Sequence, residues 1–287
     1  MRALLPVLTV LAAIVALWYA GAVWMNSQWS YDQAARAGVE VSLTEVVAET
    51  MHQDRPVLPA PHQVLAGLWE GLFGQKITSK RSLVYHGWVT LEATLLGFVI
   101  GTGLGILLAV GIVHNRAMDL SVMPWAIASQ TIPILAIAPM VIVVLASLGV
   151  TGLLPKSIIS AYLSFFPVVV GMVKGLRSPD AMQLDLMRTY GAGAWPVFWK
   201  LRLPASMPFL FASLKVSAAA SLVGAIVGEL PAGAVAGLGA RLLSGSYYGQ
   251  TVQIWAALLA AAMLAAALVI AIGAIERVTL RRMGMAR

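Results

Sequence analysis

Cysteine is absent from the chain, which excludes disulfides, thiolate metal sites and a cysteine nucleophile together. Charge is scarce. Asp, Glu, Lys and Arg make up 11% of the residues, against roughly 25% in a soluble domain, and that excludes an ordinary soluble fold. The four histidines (His52, His62, His86 and His114) are scattered, and none has a partner at metal-ligand spacing. No His/Asp/Glu cluster or Ser–His pairing marks an embedded enzyme, and no G-x-x-x-x-G-K-[ST] loop is present to hold a nucleotide. The sequence therefore nominates no catalytic, cofactor-binding or metal-binding residue.

What remains is apolar. Of 287 residues, 60% are hydrophobic and the mean hydropathy is +0.85. The composition is that of a polytopic membrane protein, all-α, a bundle of about six transmembrane helices. The net charge of +7 gathers in short segments beside apolar runs, which encodes orientation in a bilayer rather than nucleic-acid binding.

The first run is Leu4 to Met25, ending in the belt residues Trp18, Tyr19 and Trp24. A cleaved signal peptide with Ala20-Gly21-Ala22 as its site is the competing reading, but the run exceeds 20 residues, and an uncleaved span is expected. Ser30 to Met51 is mixed polar with helical periodicity. Pro56, Pro59 and Pro61 break the chain, and Val64 to Phe73 reads as a short surface helix. Further spans are expected at Trp88–Val113, Pro124–Leu148, Ser157–Val173, Phe209–Glu229 and Thr251–Ile275. Gly97, Gly101 and Gly105 in the second repeat the small-xxx-small spacing of close helix packing. The resulting division is 1–87 as an N-terminal helix plus an interfacial segment, 88–282 as the core with a loop at 177–208, and 283–287 as a tail.

Six spans put both termini on one side. Arg2, Arg116, Lys174, Arg177, Arg188, Lys200, Arg202, Arg277, Arg281, Arg282 and Arg287 share that side with only Asp119, Asp180, Asp185 and Glu276. The positive-inside rule makes it the cytoplasmic side of the inner membrane.

Asp185 to Pro208, DLMRTYGAGAWPVFWKLRLPASMP, is the longest polar-and-aromatic interruption in the second half. Asp185–Tyr190 is a short amphipathic stretch, followed by Gly191 where a left-handed helix cap would place it. Ala194–Leu201 is expected to form a second short helix with Pro196 in its first turn, ended by Leu203-Pro204. A solvated connector would not need Trp195, Phe198 and Trp199, which want an interfacial surface.

These residues resemble a known family. Gly191, nine residues, Leu201, one residue and Leu203-Pro204 match the EAA-x3-G-x9-I-x-LP loop of binding-protein-dependent ABC importer permeases of the type I fold. Asp185 stands where the family has Glu, Leu186 and Met187 replace the two alanines, and Leu201 replaces Ile. Leu58 to Leu65, Thr90 to Gly105, Gln130 to Pro133, Ala138-Pro139 and Gly228-Glu229 are similar to the nitrate/sulfonate/taurine branch. The resemblance implies a transport subunit, not an enzyme, with ATP and Mg held by a separate cytoplasmic ATPase dimer. It further implies a second permease copy, usually in a homodimer, and a periplasmic substrate-binding protein. The ATPase-coupling residues it implies are Asp185, Leu186, Met187, Arg188, Gly191, Ala192, Leu203 and Pro204.

Polar residues inside spans are pathway candidates: Ser129, Gln130, Thr131, Tyr162, Ser164, Ser213, Ser217 and Ser221. For single serines, inter-helix hydrogen bonding or close packing is the favoured account. Lys215 is expected to snorkel or to form an ion pair rather than to bind substrate. Glu229 is placed at the outer end of its helix, as a rim or gate residue. Two rival readings remain, an ATP-independent secondary transporter and a membrane scaffold. The first would want paired intramembrane charges or an inverted repeat; the second leaves the Gly191–Pro204 spacing unexplained.

Overall fold

The structure, a computed structural model, describes residues 4–231 and 234–285. Arg2 and Arg287 of the charge asymmetry lie outside them. Every regular element among the described residues is helical: α1 (Leu4–Ala37), α2 (Leu43–Thr50), α3 (Pro61–Trp69), α4 (Leu83–His114), α5 (Arg116–Ser129), α6 (Ile134–Ser147), α7 (Leu153–Leu176), α8 (Ala181–Thr189), α9 (Ala194–Val197), α10 (Leu203–Glu229), α11 (Leu238–Tyr247) and α12 (Thr251–Arg282). Five continuous helical stretches are long and apolar enough to cross a membrane, or up to six if α5 and α6 together make one span.

The chain divides into two compact units, Met1–His86 with Ala240–Ala260, and Gly87–Gly239 with Ala261–Arg287. In the first unit α1 continues well past Met25, so the expected end of the first run falls short. The proline-broken segment after α2 has few backbone donors of its own, and Asn26 on α1 answers for it. The buried Asn26 amide donates to Leu58 O at 2.8 Å and accepts from the amides of Val57 at 2.7 Å and Leu58 at 3.2 Å. Trp18 donates to Pro59 O at 3.0 Å and its ring lies 5.0 Å from that of Trp255. Helix α3 begins with Pro61 at its first turn, where the missing N–H costs nothing, and relaxes into a π-turn over Glu70–Gly74. That is the short helix expected over Val64–Phe73.

The second unit is built on α7. Three glycines of α4 face it one turn apart. A Cβ on Gly97, Gly101 or Gly105 would collide with Ser160, Ser164 or Val168. On the other flank Gly224 and Gly228 of α10 meet the α7 backbone, and a Cβ on Gly224 would come within 2.6 Å of Ser160 Cα. Small residues let these helices approach until dispersion contacts and hydroxyl–carbonyl hydrogen bonds replace lipid. Toward the α7 C-terminus the packing turns larger. Ala109 and Ile112 of α4 bury against Val169, Met172, Val173 and Leu176.

One expected span changes form. The run 124–148 is not a single straight helix, because α5 and α6 meet at 98°. Pro133 lacks the N–H that would continue the ladder and steers Ile132 away from helical dihedrals. Helix α5 begins at Arg116 and is capped by Asn115, which accepts from the amides of Ala117 at 2.8 Å and Met118 at 3.4 Å. Between α10 and α12 the chain forms α11.

Candidate functional site

Two features of the second unit carry chemistry: an elbow at one end, and a buried polar cluster near the C-terminus of α10.

The elbow begins with α8, none of whose residues is buried. Asp185 pairs with Arg188 at 3.0 Å on its exposed surface, while Met182, Leu186 and Tyr190 stand in the open, Met182 at 82% exposure. The helix closes at Gly191, whose φ is +68°. The amide of Gly191 donates to Arg188 O at 2.8 Å and that of Ala192 to Met187 O at 3.0 Å, the paired bonds of a Schellman cap. A side chain at 191 would meet nothing within 4 Å. Glycine is required there by its dihedral, not by its surroundings.

The far arm differs from expectation. Leu203-Pro204 does not end a short helix. Ala194 to Glu229 runs as one 36-residue helical stretch. Pro204 has no N–H for the carbonyl of Lys200, and the chain widens into a π-turn over Phe198–Arg202, with the Leu203 amide bonding Phe198 O five residues back. The π-turn absorbs the proline and keeps the axis continuous. The far arm of the elbow and the membrane helix are therefore one continuous helical stretch. Trp195 remains 70% exposed, and Phe198 turns inward to the α4/α7 core with its ring 5.4 Å from that of His114. Arg202 donates to Leu176 O at 3.2 Å, capping α7, and Arg177 pairs with Asp119 of α5 at 2.8 Å. The basic residues at this end thus hold three helices together.

The sequence-nominated pathway residues fall into two groups. Ser164, Ser213, Ser217 and Ser221 are buried among α4, α7 and α10. Each donates to a backbone carbonyl: Ser164 to Gly97 at 3.4 Å, Ser213 to Phe209 at 2.5 Å, Ser217 to Ser164 at 2.6 Å and Ser221 to Thr94 at 2.7 Å. Ser160 joins them, its hydroxyl 2.6 Å from that of Ser221. Ser129, Gln130 and Thr131 instead line the α5–α6 break, with Gln130 and Thr131 exposed. Tyr162 of α7 reaches the break, donating to Ser129 O.

Lys215 forms an ion pair with Glu276 of α12, one of the two roles expected of it. Glu229 is not a rim residue. It is fully buried and accepts from the Thr90 hydroxyl at 3.0 and 3.1 Å and from the Gly239 amide at 2.9 Å, with Lys156 Nζ 3.7 Å away. Lys156 also donates to Ala236 O at 3.0 Å. Thr90 in turn accepts from the Leu238 amide at 2.8 Å. A Cβ on Gly237 or Gly239 would run into the Glu229 side chain. The carboxylate is thus the hub that folds residues 236–239 back onto α4 and α10. Sequence reasoning left Thr90 and Lys156 unnominated, although an acid in an apolar helix demands a partner.

The unit is therefore a set of closely packed helices with an exposed elbow rigidly tied to one of them, and this is a form known elsewhere. The inward-facing MetNI methionine ABC transporter contains a chain of the same fold, with a TM-score of 0.53 and 19% identity across 79% of this chain and 97% of that one. The riboflavin transport system permease protein RibX of Chloroflexus aurantiacus is 30% identical over 225 residues, 78% of this chain and 80% of that protein. The formylaminopyrimidine transport permease protein ThiX of Halalkalibacterium halodurans is 30% identical over 184 residues, 64% and 68% of the two chains. The putative aliphatic sulfonates transport permease protein SsuC of Bacillus subtilis is 24% identical over 221 residues, 77% and 76%. Residues 101–285, which hold the elbow and Glu229, match one family, and the chain belongs to it: the binding-protein-dependent transport system inner membrane components.

Proposed function

We propose that this permease forms half of the membrane pathway of an ATP-driven importer of the nitrate/sulfonate/taurine type. A second copy of the chain supplies the other half, an extracytoplasmic binding protein delivers the solute, and a separate cytoplasmic ATPase dimer binds ATP and Mg. Asp185, Leu186, Met187, Arg188, Gly191 and Ala192 dock on the ATPase, while Leu203 and Pro204 carry the motion into α10. The observation that supports this most is the unpartnered α8 elbow at the head of a continuous 36-residue rod. An unburied amphipathic short helix that carries apolar side chains and a charge pair suits a groove on another protein, and a continuous helical stretch turns displacement of the elbow into tilt of a span.

The charge asymmetry supports a cytoplasmic elbow with both termini on the same side. Gln130, Thr131 and Tyr162 at the α5–α6 break are the pathway residues this reading favours; Ser129, Ser164, Ser213, Ser217 and Ser221 hold the helices that frame it. RibX and ThiX are named for riboflavin and formylaminopyrimidine transport, which supports a small heterocyclic solute here, with Tyr162 and Phe165 available to stack. Identifying the ligand that co-purifies with the cognate binding protein tests that class, and an aliphatic ligand would overturn it.

The docking assignment is tested with Gly191→Asp. Open space around residue 191 accepts the new side chain, and aspartate tolerates the left-handed φ of +68° better than most residues, so the variant strains the cap but should still reach the membrane. Binding-protein-stimulated ATPase activity of the reconstituted complex should be lost. Native stimulation would sink the assignment.

A further inference from the structure

The first unit holds a cleft of about 700 Å³ that the transport reading does not use. It is lined on one side by the end of α3, its π-turn and the segment leading to α4, and on the other by α11 and the start of α12. Three guanidinium side chains, Arg55, Arg81 and Arg241, face it together with the carboxylates of Asp54 and Glu70 and the amide of Gln253. Among the described residues, none of the three arginines forms an ion pair. Two carboxylates set against three guanidinium groups leave the cleft a single positive charge in excess.

Arg241 is the telling residue. Its Nε is shielded from solvent and has no hydrogen-bond partner among the described residues, and Gln253 Oε1 in the same cleft is likewise unpartnered. Burial and the neighbouring charge of Arg81, in that order, both push Arg241 below its ordinary pKa. An orphaned donor on a half-buried cation beside a like charge is destabilising by itself. Such an arrangement becomes favourable when a ligand brings negative charge and acceptor oxygens to a guanidinium fork. The free Gln253 oxygen adds a demand for a donor on the same ligand.

We infer that this cleft is a binding site for a phosphate-type oxyanion that also carries a hydroxyl. Arg241 and Arg81 hold the oxygens, Arg55 screens the mouth and Gln253 accepts the hydroxyl. Hydrogen phosphate has that chemistry, and so does the phosphoglycerol headgroup of an anionic lipid. The cleft's volume of about 700 Å³ suits a compact headgroup-sized ligand.

The full chain purified in detergent provides the test. Thermal unfolding is followed during titration with inorganic phosphate at constant ionic strength. In a second arm, micelles or nanodiscs containing phosphatidylglycerol are compared with phosphatidylcholine alone. A rise in Tm with phosphate identifies a soluble anion, and a rise only with phosphatidylglycerol identifies the lipid headgroup. In either case Arg241→Gln should weaken binding at least about tenfold, the fold-change of one lost charge-assisted hydrogen bond. Should that variant not fold, Arg81→Gln and Arg241→Lys, which keeps the charge but loses Nε, carry the same expectation. No stabilisation by either source, or a response unchanged in the variants, overturns the site.

Discussion

Glu229 and Thr90 lie 139 residues apart in sequence and meet inside the second unit, the single Thr90 hydroxyl standing 3.0 and 3.1 Å from the two carboxylate oxygens. The carboxylate also takes the Gly239 amide and faces Lys156. It therefore organises α4, α7, α10 and the start of α11 at one point. Removing one partner of a buried pair leaves the other uncompensated, at a cost of about 3–5 kcal/mol. Glu229→Ala should lower the Tm of the detergent-purified permease by well over 5 °C, or prevent its recovery. Glu229→Gln should cost less, because one amide oxygen still accepts while the amide nitrogen opposes the Gly239 donor. Gly237→Ala should resemble Glu229→Ala, since Gly237 has φ +126° and its missing Cβ points into the carboxylate. A Glu229→Ala protein as stable as the native one would show that the hub has no structural role.

The serines and glycines between α4, α7 and α10 give the second prediction. Ser160 and Ser221 share a hydrogen bond of 2.6 Å, but interhelical bonds of this kind average only about 0.6 kcal/mol in membranes. Ser221→Ala should therefore shift unfolding little. Gly224→Val should be far worse, because a Cβ there would lie 2.6 Å from Ser160 Cα and 3.0 Å from Ile159 O, and backbone cannot yield as a side chain can. Equal losses in the two variants, read as the fraction recovered monodisperse, would contradict packing as the main role of this seam.

How much of this was legible in the sequence depends on the range of the interaction. The Gly191 corner could be found because a left-handed helix cap is a local demand on one residue. The spans could be found because a bilayer imposes length on any helix that crosses it. Leu203-Pro204 misled, since the local rule that proline ends a helix lost to a π-turn that accommodates it. The α5–α6 bend was signalled by Pro133, but nothing local gives its 98° angle. The Glu229 hub was invisible, because Thr90 and Lys156 come to it from two distant segments and Gly239 from beyond the end of its own helix. The same distance hid the Arg241 cleft.

Glu45 supplies a pH dependence outside the spans. Its side chain accepts from the Ser42 amide at 2.8 Å and the Ser42 hydroxyl at 2.8 Å, and these bonds hold its pKa below the ordinary 4.5. A carboxylate with a depressed folded-state pKa contributes stability that is present above the unfolded value and lost as pH falls through the folded one. Amide exchange protection of α2 should therefore hold near neutrality and fall as pH drops below about 4.5. In Glu45→Gln it should be weaker at neutral pH and flat across that window. A native protein with flat protection there would dissociate the capping box from the stability of α2.

Lys215 on α10 and Glu276 on α12 pair within the second unit, with the lysine side chain 35% and the glutamate 19% exposed. Both charges are partly withdrawn from water, so each depends on the other more than a surface pair would. Lys215→Glu sets two carboxylates against each other and should lower Tm by several degrees. Glu276→Lys alone should do the same with two ammonium groups. The double exchange Lys215→Glu with Glu276→Lys should recover most of the loss, because the attraction is restored with its sign pattern reversed. Recovery isolates the pairwise interaction from the separate cost of each substitution. If the double variant were as unstable as the sum of the singles, the two residues would be independent, and the link between α10 and α12 would rest on apolar packing alone.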